Sequence, residues 1–217
     1  MQHRRVRPIL LALLTVALLA APAAASAGVG PGDHGRRVAG VQVFLARLGY
    51  LPFRAVNGVY DDRTQQAVMA FQGWSRLPRD GYAGVRTLRR LRKAHRPRAW
   101  RQYEGRRLEV HIDRQVLLLI DAHNRVIRAI HVSTGAPGRE TPLGDFSIFR
   151  KEEMSYSVQF QVWMPWASYF TGGYAIHEYP DVPGDPASHG CVRMPAAEAE
   201  MVYRFAGLGT PAHVHQG

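Results

Sequence analysis

The chain has 217 residues, 46% hydrophobic and 21% charged, with 28 Lys and Arg against 17 Asp and Glu for a formal net charge of +11. One cysteine excludes an internal disulfide framework. The basic excess favours a polyanionic partner: nucleic acid, an anionic membrane face or an acidic cell-wall polymer.

The N-terminus reads as a secretory signal over residues 1–27. Arg4, Arg5 and Arg7 give a basic start, Ile9 to Ala21 is apolar except for Thr15, and Ala23, Ala24, Ala25 and Ala27 offer small-residue cleavage sites. The apolar run falls short of the ~20 residues that span a bilayer, although the alanines extending it leave an uncleaved membrane anchor as the alternative. No cysteine follows the run, which argues against a lipid-modified terminus. Removing three arginines and no acids lowers the net charge to +8 over about 190 residues, enough for one large domain or two modest ones. Export disfavours nucleic acid as the partner. So does the scatter of basic residues, dense only from Arg86 to Arg98 and without interleaved aromatics. The expected location is the periplasm or the cell wall.

Residues 34–95 read as helical. Val38, Val41, Phe44, Leu45 and Leu48 recur at three- and four-residue steps, and Gly49 follows as a stop. A second helix should start near Asp61 or Asp62, either able to cap the free amides, and bury Ala67, Val68 and Phe71. Asp80-Gly81 marks a turn, and Val85, Leu88 and Leu91 give a third short helix. So small a core suits binding better than catalysis. The stretch resembles the bacterial three-helix peptidoglycan-binding module on Val41-Gln42, Leu45, Leu48-Gly49-Tyr50, Asn57-Gly58-Val59-Tyr60, Thr64, Ala67-Val68, Phe71-Gln72, Asp80-Gly81, Gly84 and Thr87-Leu88. It departs from that pattern where Asp61, in place of glycine, follows Tyr60. The resemblance implies that the chain binds the cell wall, with peptidoglycan stem peptides and glycan as partners.

Residues 96–105, opening with Arg96-Pro97-Arg98, read as a linker, and residues 106–217 as a mainly β domain. Leu108, Val110 and Ile112 alternate with Glu109, His111 and Asp113, the period of a half-buried strand. Val116 to Ile120 is continuously apolar, as in a buried strand, and Val126 to Val132 alternates again after a turn at Asn124. Thr134 to Gly144 is a Gly- and Pro-containing loop, followed by a strand to Phe149. Pro195 to Ala206 is the one good helix candidate in this half. The expected fold class is therefore α+β: a mainly β catalytic domain preceded by a small three-helix domain.

The chemistry centres on Cys191, inside Ser188-His189-Gly190-Cys191-Val192-Arg193. A thiol is a weak nucleophile until ionised, so a nearby base must take its proton and later protonate a leaving amine. His189, two residues away, and His177, fourteen upstream, are the two candidates. Gly190 lets backbone amides approach a substrate carbonyl, as an oxyanion hole requires.

Ala175-Ile176-His177 and Ser188-His189-Gly190-Cys191-Val192-Arg193-Met194 resemble the signature of the L,D-transpeptidase catalytic domain. Val132-Ser133-Thr134-Gly135, Thr141-Pro142-Leu143-Gly144-Asp145-Phe146 and Gly209-Thr210-Pro211-Ala212-His213-Val214 extend the match over about residues 106 to 215. The resemblance implies that Cys191 attacks the stem peptide at its terminal D-alanine, with His177 as base and then acid, oriented by the carbonyl of residue 178. The amides of Gly190 and Cys191, with Ser188 and His189 alongside, would hold the oxyanion, and Arg193 a stem carboxylate. An amine of a neighbouring stem would then resolve the thioester into a 3–3 cross-link. The chain departs from many members in carrying Glu178 after the histidine, which bears on substrate preference.

Three rival readings remain: a carboxypeptidase in which water resolves the acyl-enzyme, a cell-wall cysteine endopeptidase, and a non-catalytic wall-binding protein. Endopeptidases of that kind place the nucleophile before its histidine, the reverse of the order here. Retention of Cys191, His177 and His189 together argues against decay. Pairing of Arg193 with an acid to fix its loop is the equal alternative to its substrate role. Trp163, Trp166, Tyr169, Phe170 and Tyr174 fit a core better than a cleft. His177-Glu178 is no zinc-protease helix, because position 181 is Asp181. His213 and His215 have a spacing that suits a metal but lack an evident third ligand, so no metal or other cofactor is expected.

Overall fold

The computed structural model describes residues 28–100 and 102–217; the signal reading of residues 1–27 lies outside them. The apolar steps close into three helices, α1 (Arg36–Leu48), α2 (Asp62–Trp74) and α3 (Val85–Arg92). Of the two candidate caps on α2, Asp61 is the one used: its carboxylate accepts from the Thr64 amide at 2.9 Å. Gly49 ends α1 in the left-handed region at φ 88°, and the Tyr50 amide closes back on Leu45 O at 2.9 Å.

Two buried glutamines fasten turns to helices. Gln42 Oε1 accepts from the amides of Asn57 and Gly58 at 3.0 and 2.8 Å, while its Nε2 donates to Asn57, Val59 and Thr64. Gln72 repeats the device at the next turn, accepting from the Gly81 amide and donating to Asp80 Oδ1 and Tyr82 O. The Gln and Asx-Gly positions of the sequence pattern are thus determinants of this fold.

The second half contains β1 (Arg107–His111), β2 (Val116–Ile120), β3 (Val126–His131), β4 (Gly144–Ser147), β5 (Arg150–Ser157), β6 (Val162–Thr171), β7 (Tyr174–Glu178), β8 (Val192–Met194), α4 (Ala196–Phe205) and β9 (Pro211–His215). Two sheets form, in the orders β3-β2-β1-β9-β4 and β5-β6-β7-β8. Both are mixed, because β1 runs parallel to β9 and β7 parallel to β8. One core unites them: Leu108, Val110, Leu117 and Leu119 meet Phe170, Ile176, Val192 and Met194, with Ala199 and Val202 of α4. The α+β class expected from the sequence is the one found.

The helical half does not hang from a hinge. Its core continues into Val116, Leu118, Ile120, Val126 and Ala129 on the outer face of the five-stranded sheet. Alternate residues of β2 therefore face two different cores, Leu117 and Leu119 inward and Val116, Leu118 and Ile120 toward the helices. That double burial is why Val116 to Ile120 is apolar without a break. Polar bonds cross the same seam. The Ala129 amide donates to Gly49 O at 3.0 Å, Arg96 to Val126 O and Arg47 O at 3.1 and 3.0 Å, and Arg63 to Ala197 O at 2.8 Å.

The β5–β6 hairpin was not foreseen, because its distal part stands off the core. Met154, Tyr156, Val158, Phe160 and Trp163 are all exposed, so no clean inward-outward alternation is written into it. Trp166 takes φ 57° and interrupts the ladder between the pairs Glu152↔Ala167 and Met154↔Pro165. No helix among the described residues is long and apolar enough to cross a membrane.

Candidate active site

Strands β7 and β8 run parallel with Ile176 opposite Val192 and His177 opposite Arg193. Ile176 and Val192 point into the core, so the pleat turns His177, Arg193 and the preceding Cys191 to the other face. The separation in sequence closes because residues 179–191 loop back to lay β8 beside β7. Cys191 and His177 thus share one face of one sheet.

His177 is 3% exposed, and its Nδ1 lies 2.6 Å from the Glu178 carbonyl oxygen. A carbonyl only accepts, so Nδ1 carries the proton and Nε2 offers its lone pair. Glu178 contributes here through its backbone. Sγ of Cys191 accepts from the Ala175 amide at 3.5 Å and lies 3.9 Å from Gly173 O. Neither His177 nor His189 hydrogen-bonds to it in this resting arrangement. Around the thiol pack Met164, Ala167, Tyr169 and Ala175.

Burial pushes the His177 imidazole down to about 4, with the Arg193 charge adding to the fall and the Glu178 carbonyl opposing it. Burial likewise pushes the Cys191 thiol up, against the Ala175 amide and Arg193. The resting pair at neutral pH is therefore a thiol and a neutral imidazole rather than a thiolate and an imidazolium.

The loop before Cys191 is held by its own side chains. Ser188 Oγ donates to Cys191 O at 2.5 Å and accepts from the Gly190 amide at 3.0 Å. The Gly190 amide is thereby engaged within the loop, whereas the Cys191 amide meets no acceptor among the described residues. Gly190 stands at φ 111°, and a Cβ there would lie 2.3 Å from the Tyr174 ring. Gly190→Ala combines a left-handed backbone with a ring collision. It should cost about 2–5 kcal/mol of stability, read as a lower urea midpoint with unchanged slope.

Arg193 does not pair with a carboxylate among the described residues; its guanidinium lies 4.0 Å from the centroid of the Tyr179 ring. His189 is exposed and stacks on Phe160, ring centroids 4.2 Å apart. The tip of the β5–β6 hairpin therefore reaches the rim of the site. Of the five aromatics assigned to the core, Tyr169 and Phe170 are buried, Trp166 and Tyr174 pack half-buried against it, Tyr174 beneath Gly190, and Trp163 is exposed. Gly173, Tyr179 and Phe160 belong to this site without any signal in the sequence, because only pairing of β6, β7 and β8 brings them beside Tyr174, which the sequence reading places in the core.

A second buried histidine shares the electrostatics of His177. His131 Nε2 lies 2.9 Å from Pro183 O, in the loop leading to Cys191, and burial pushes its imidazole down to about 4. In the unfolded chain both rings bind a proton near 6.5, so between there and about 4 the unfolded state holds more protons than the native one. Stability must then fall as pH drops through that window, by on the order of 3 kcal/mol for each ring at its acid end, and neither ring contributes a slope above pH 7. Melting temperature followed from pH 7 to pH 4 should show the fall, and His131→Gln should remove about half of it.

The comparisons with known proteins agree with this geometry. Residues 105–214 match the L,D-transpeptidase catalytic domain, and residues 34–91 match a peptidoglycan binding domain. The crystal structure of the L,D-transpeptidase from Xylanimonas cellulosilytica is 34% identical, with a TM-score of 0.80 over 90% of this chain and 100% of that one. That of an L,D-transpeptidase from Stackebrandtia nassauensis is 25% identical, with a TM-score of 0.56 over 89% and 97%. No curated protein matches. A catalytic-domain match over half the chain, and a relative similar across helical and β halves alike, place this protein in the L,D-transpeptidase family.

Proposed function

We propose that this chain is an exported cysteine acyltransferase of the periplasm or cell wall, with Cys191 as its nucleophile. Peptidoglycan is the partner that both domain matches support. Substrate binding turns the thiol from Gly173 O toward His177, whose free Nε2 takes the proton. Such bonds commonly tighten only in the substrate complex. The thiolate attacks the carbonyl between the third stem residue and the terminal D-alanine, and the oxyanion forms beside the Cys191 amide at the Gly190 turn. The imidazolium then gives its proton to the departing amine of D-alanine, leaving a thioester. An amine of a neighbouring stem attacks that thioester, His177 takes its proton, and the thiol is restored with a 3–3 cross-link formed. Ser188 holds the turn, His189 stands at the rim under Phe160, and Arg193, free of a carboxylate partner, suits a stem carboxylate.

The observation that carries this reading is the sole thiol on one sheet face with an imidazole whose tautomer is fixed by Glu178 O. The test is to incubate residues 28–217 with disaccharide tetrapeptide and follow products by mass. Cross-linked dimer with free D-alanine supports transfer. Tripeptide without dimer replaces transfer by hydrolysis, and an unchanged stem ends the enzymatic reading.

A further inference from the structure

His213 and His215 share a face of β9, and the structure separates their fates. His213 Nδ1 lies 2.6 Å from Asp145 Oδ1. His215 sits opposite His111 in the parallel β1–β9 register, and Glu109 lies two residues before His111 on the same face. One ligand atom from each of Glu109, His111 and His215 falls within 4.8 Å of the others. We propose that these three residues bind a single transition-metal ion of the zinc class, at a site separate from Cys191 and independent of how Cys191 is read.

The first support is burial. Glu109, His111 and His215 are 0%, 3% and 8% exposed, yet both ring nitrogens of His111 lack a hydrogen-bond partner among the described residues. Its ion-pair contact, Glu109 Oε2, is 3.6 Å away from Nε2, beyond hydrogen-bonding distance. Leaving a buried imidazole unsatisfied is costly, and a metal on one nitrogen relieves that cost.

The second support is the outer shell. Glu109 Oε1 accepts from Arg107 Nε at 2.9 Å and Oε2 from the Trp100 amide at 2.8 Å, so the carboxylate is already oriented. Trp100 stacks on His215 at 4.1 Å, and Trp74 meets His111 edge-on at 4.9 Å. Glu109 is thus oriented by polar outer partners, as a metal-ligating carboxylate is, while indole rings hold the two imidazoles in place.

Charge selects the metal. Arg107 neutralises Glu109, so the site offers a dication no net negative charge. Calcium and magnesium, which depend on several oxygen ligands, are disfavoured, whereas zinc, cobalt and nickel bind through imidazole. All three ligands come from β1 and β9, so the ion would fasten that parallel strand pair beneath Trp74 and Trp100.

Untagged Cys191→Ala protein, which lacks the one thiol, is titrated with Co2+. The expected result is a visible ligand-field spectrum saturating at one equivalent, displaced by Zn2+ and untouched by millimolar Ca2+ or Mg2+. His111→Phe, which keeps an aromatic ring against Trp74, should lose that spectrum, while His123→Ala on the surface turn should keep it. Absence of the spectrum, or its full persistence in His111→Phe, overturns the site. Should His111→Phe not fold, melting of the Cys191→Ala protein decides. Zn2+ at ~100 times its Kd should raise the midpoint by roughly 5–10 °C, and no rise overturns the site.

Discussion

Cys191→Ala should abolish dimer formation and D-alanine release, a loss on the order of 10⁴-fold or more, with little change in melting temperature because the side chain is only half-buried. The family resemblance implies a covalent carbapenem adduct on Cys191, and the same substitution should remove that mass increment if the wild-type protein gains it. His177→Gln makes the sharper distinction. Because burial holds the thiol protonated at pH 7, acylation there depends on a base, and losing it should slow acylation roughly 10²–10⁴-fold. That deficit should shrink as pH rises through the ionisation of Cys191, since hydroxide then replaces the imidazole. Stopped-flow acylation by a carbapenem from pH 6 to pH 11 measures both effects. Equal rates for wild type and His177→Gln at pH 7 would remove His177 from the reaction.

Cys191 was singled out in the sequence as the sole thiol, beside a turn glycine, whereas the residues alone left His177 and His189 both open as its base and only the family resemblance chose His177. The carbonyl of residue 178 was foreseen as the orienting group, and Nδ1 of His177 does lie against it. The hydrogen bonding of Sγ to Ala175 and Gly173 was not foreseeable, since it depends on the β6–β7 turn. Alternation from Leu108 to Ile112 correctly split β1 into two faces, but left Glu109 and His111 as solvent-facing. The structure buries both, because the segment read as a linker lies across that face with Trp100 over His215 and Tyr103 over His213. Composition marked Arg96-Pro97-Arg98 as a boundary, and nothing local said that the boundary would be packed down. A strand's second face can be judged only when its covering element is known.

Removing residues 28–95 should leave a β domain that does not stay folded and soluble, although the catalytic motif would remain intact. The deletion strips the cover from Val116, Leu118, Ile120 and Val126, each now at most 2% exposed. At about 1.5–3 kcal/mol for each aliphatic side chain returned to water, the loss is roughly 6–12 kcal/mol. That is comparable with the whole stability of an ordinary domain. The bared face is also a contiguous apolar surface on the adjacent strands β2 and β3, a template for self-association. Residues 96–217 alone should therefore elute from size exclusion as aggregate and lack a cooperative melt, whereas residues 28–217 should melt in one transition. Leu118→Asp in the full chain tests the same seam without a deletion, since it puts an unpaired carboxylate between the two halves and should unfold both together. A monomeric, cooperatively melting 96–217 fragment with full acylation activity would mean that the helical half is an independent tether and not half of the enzyme's core.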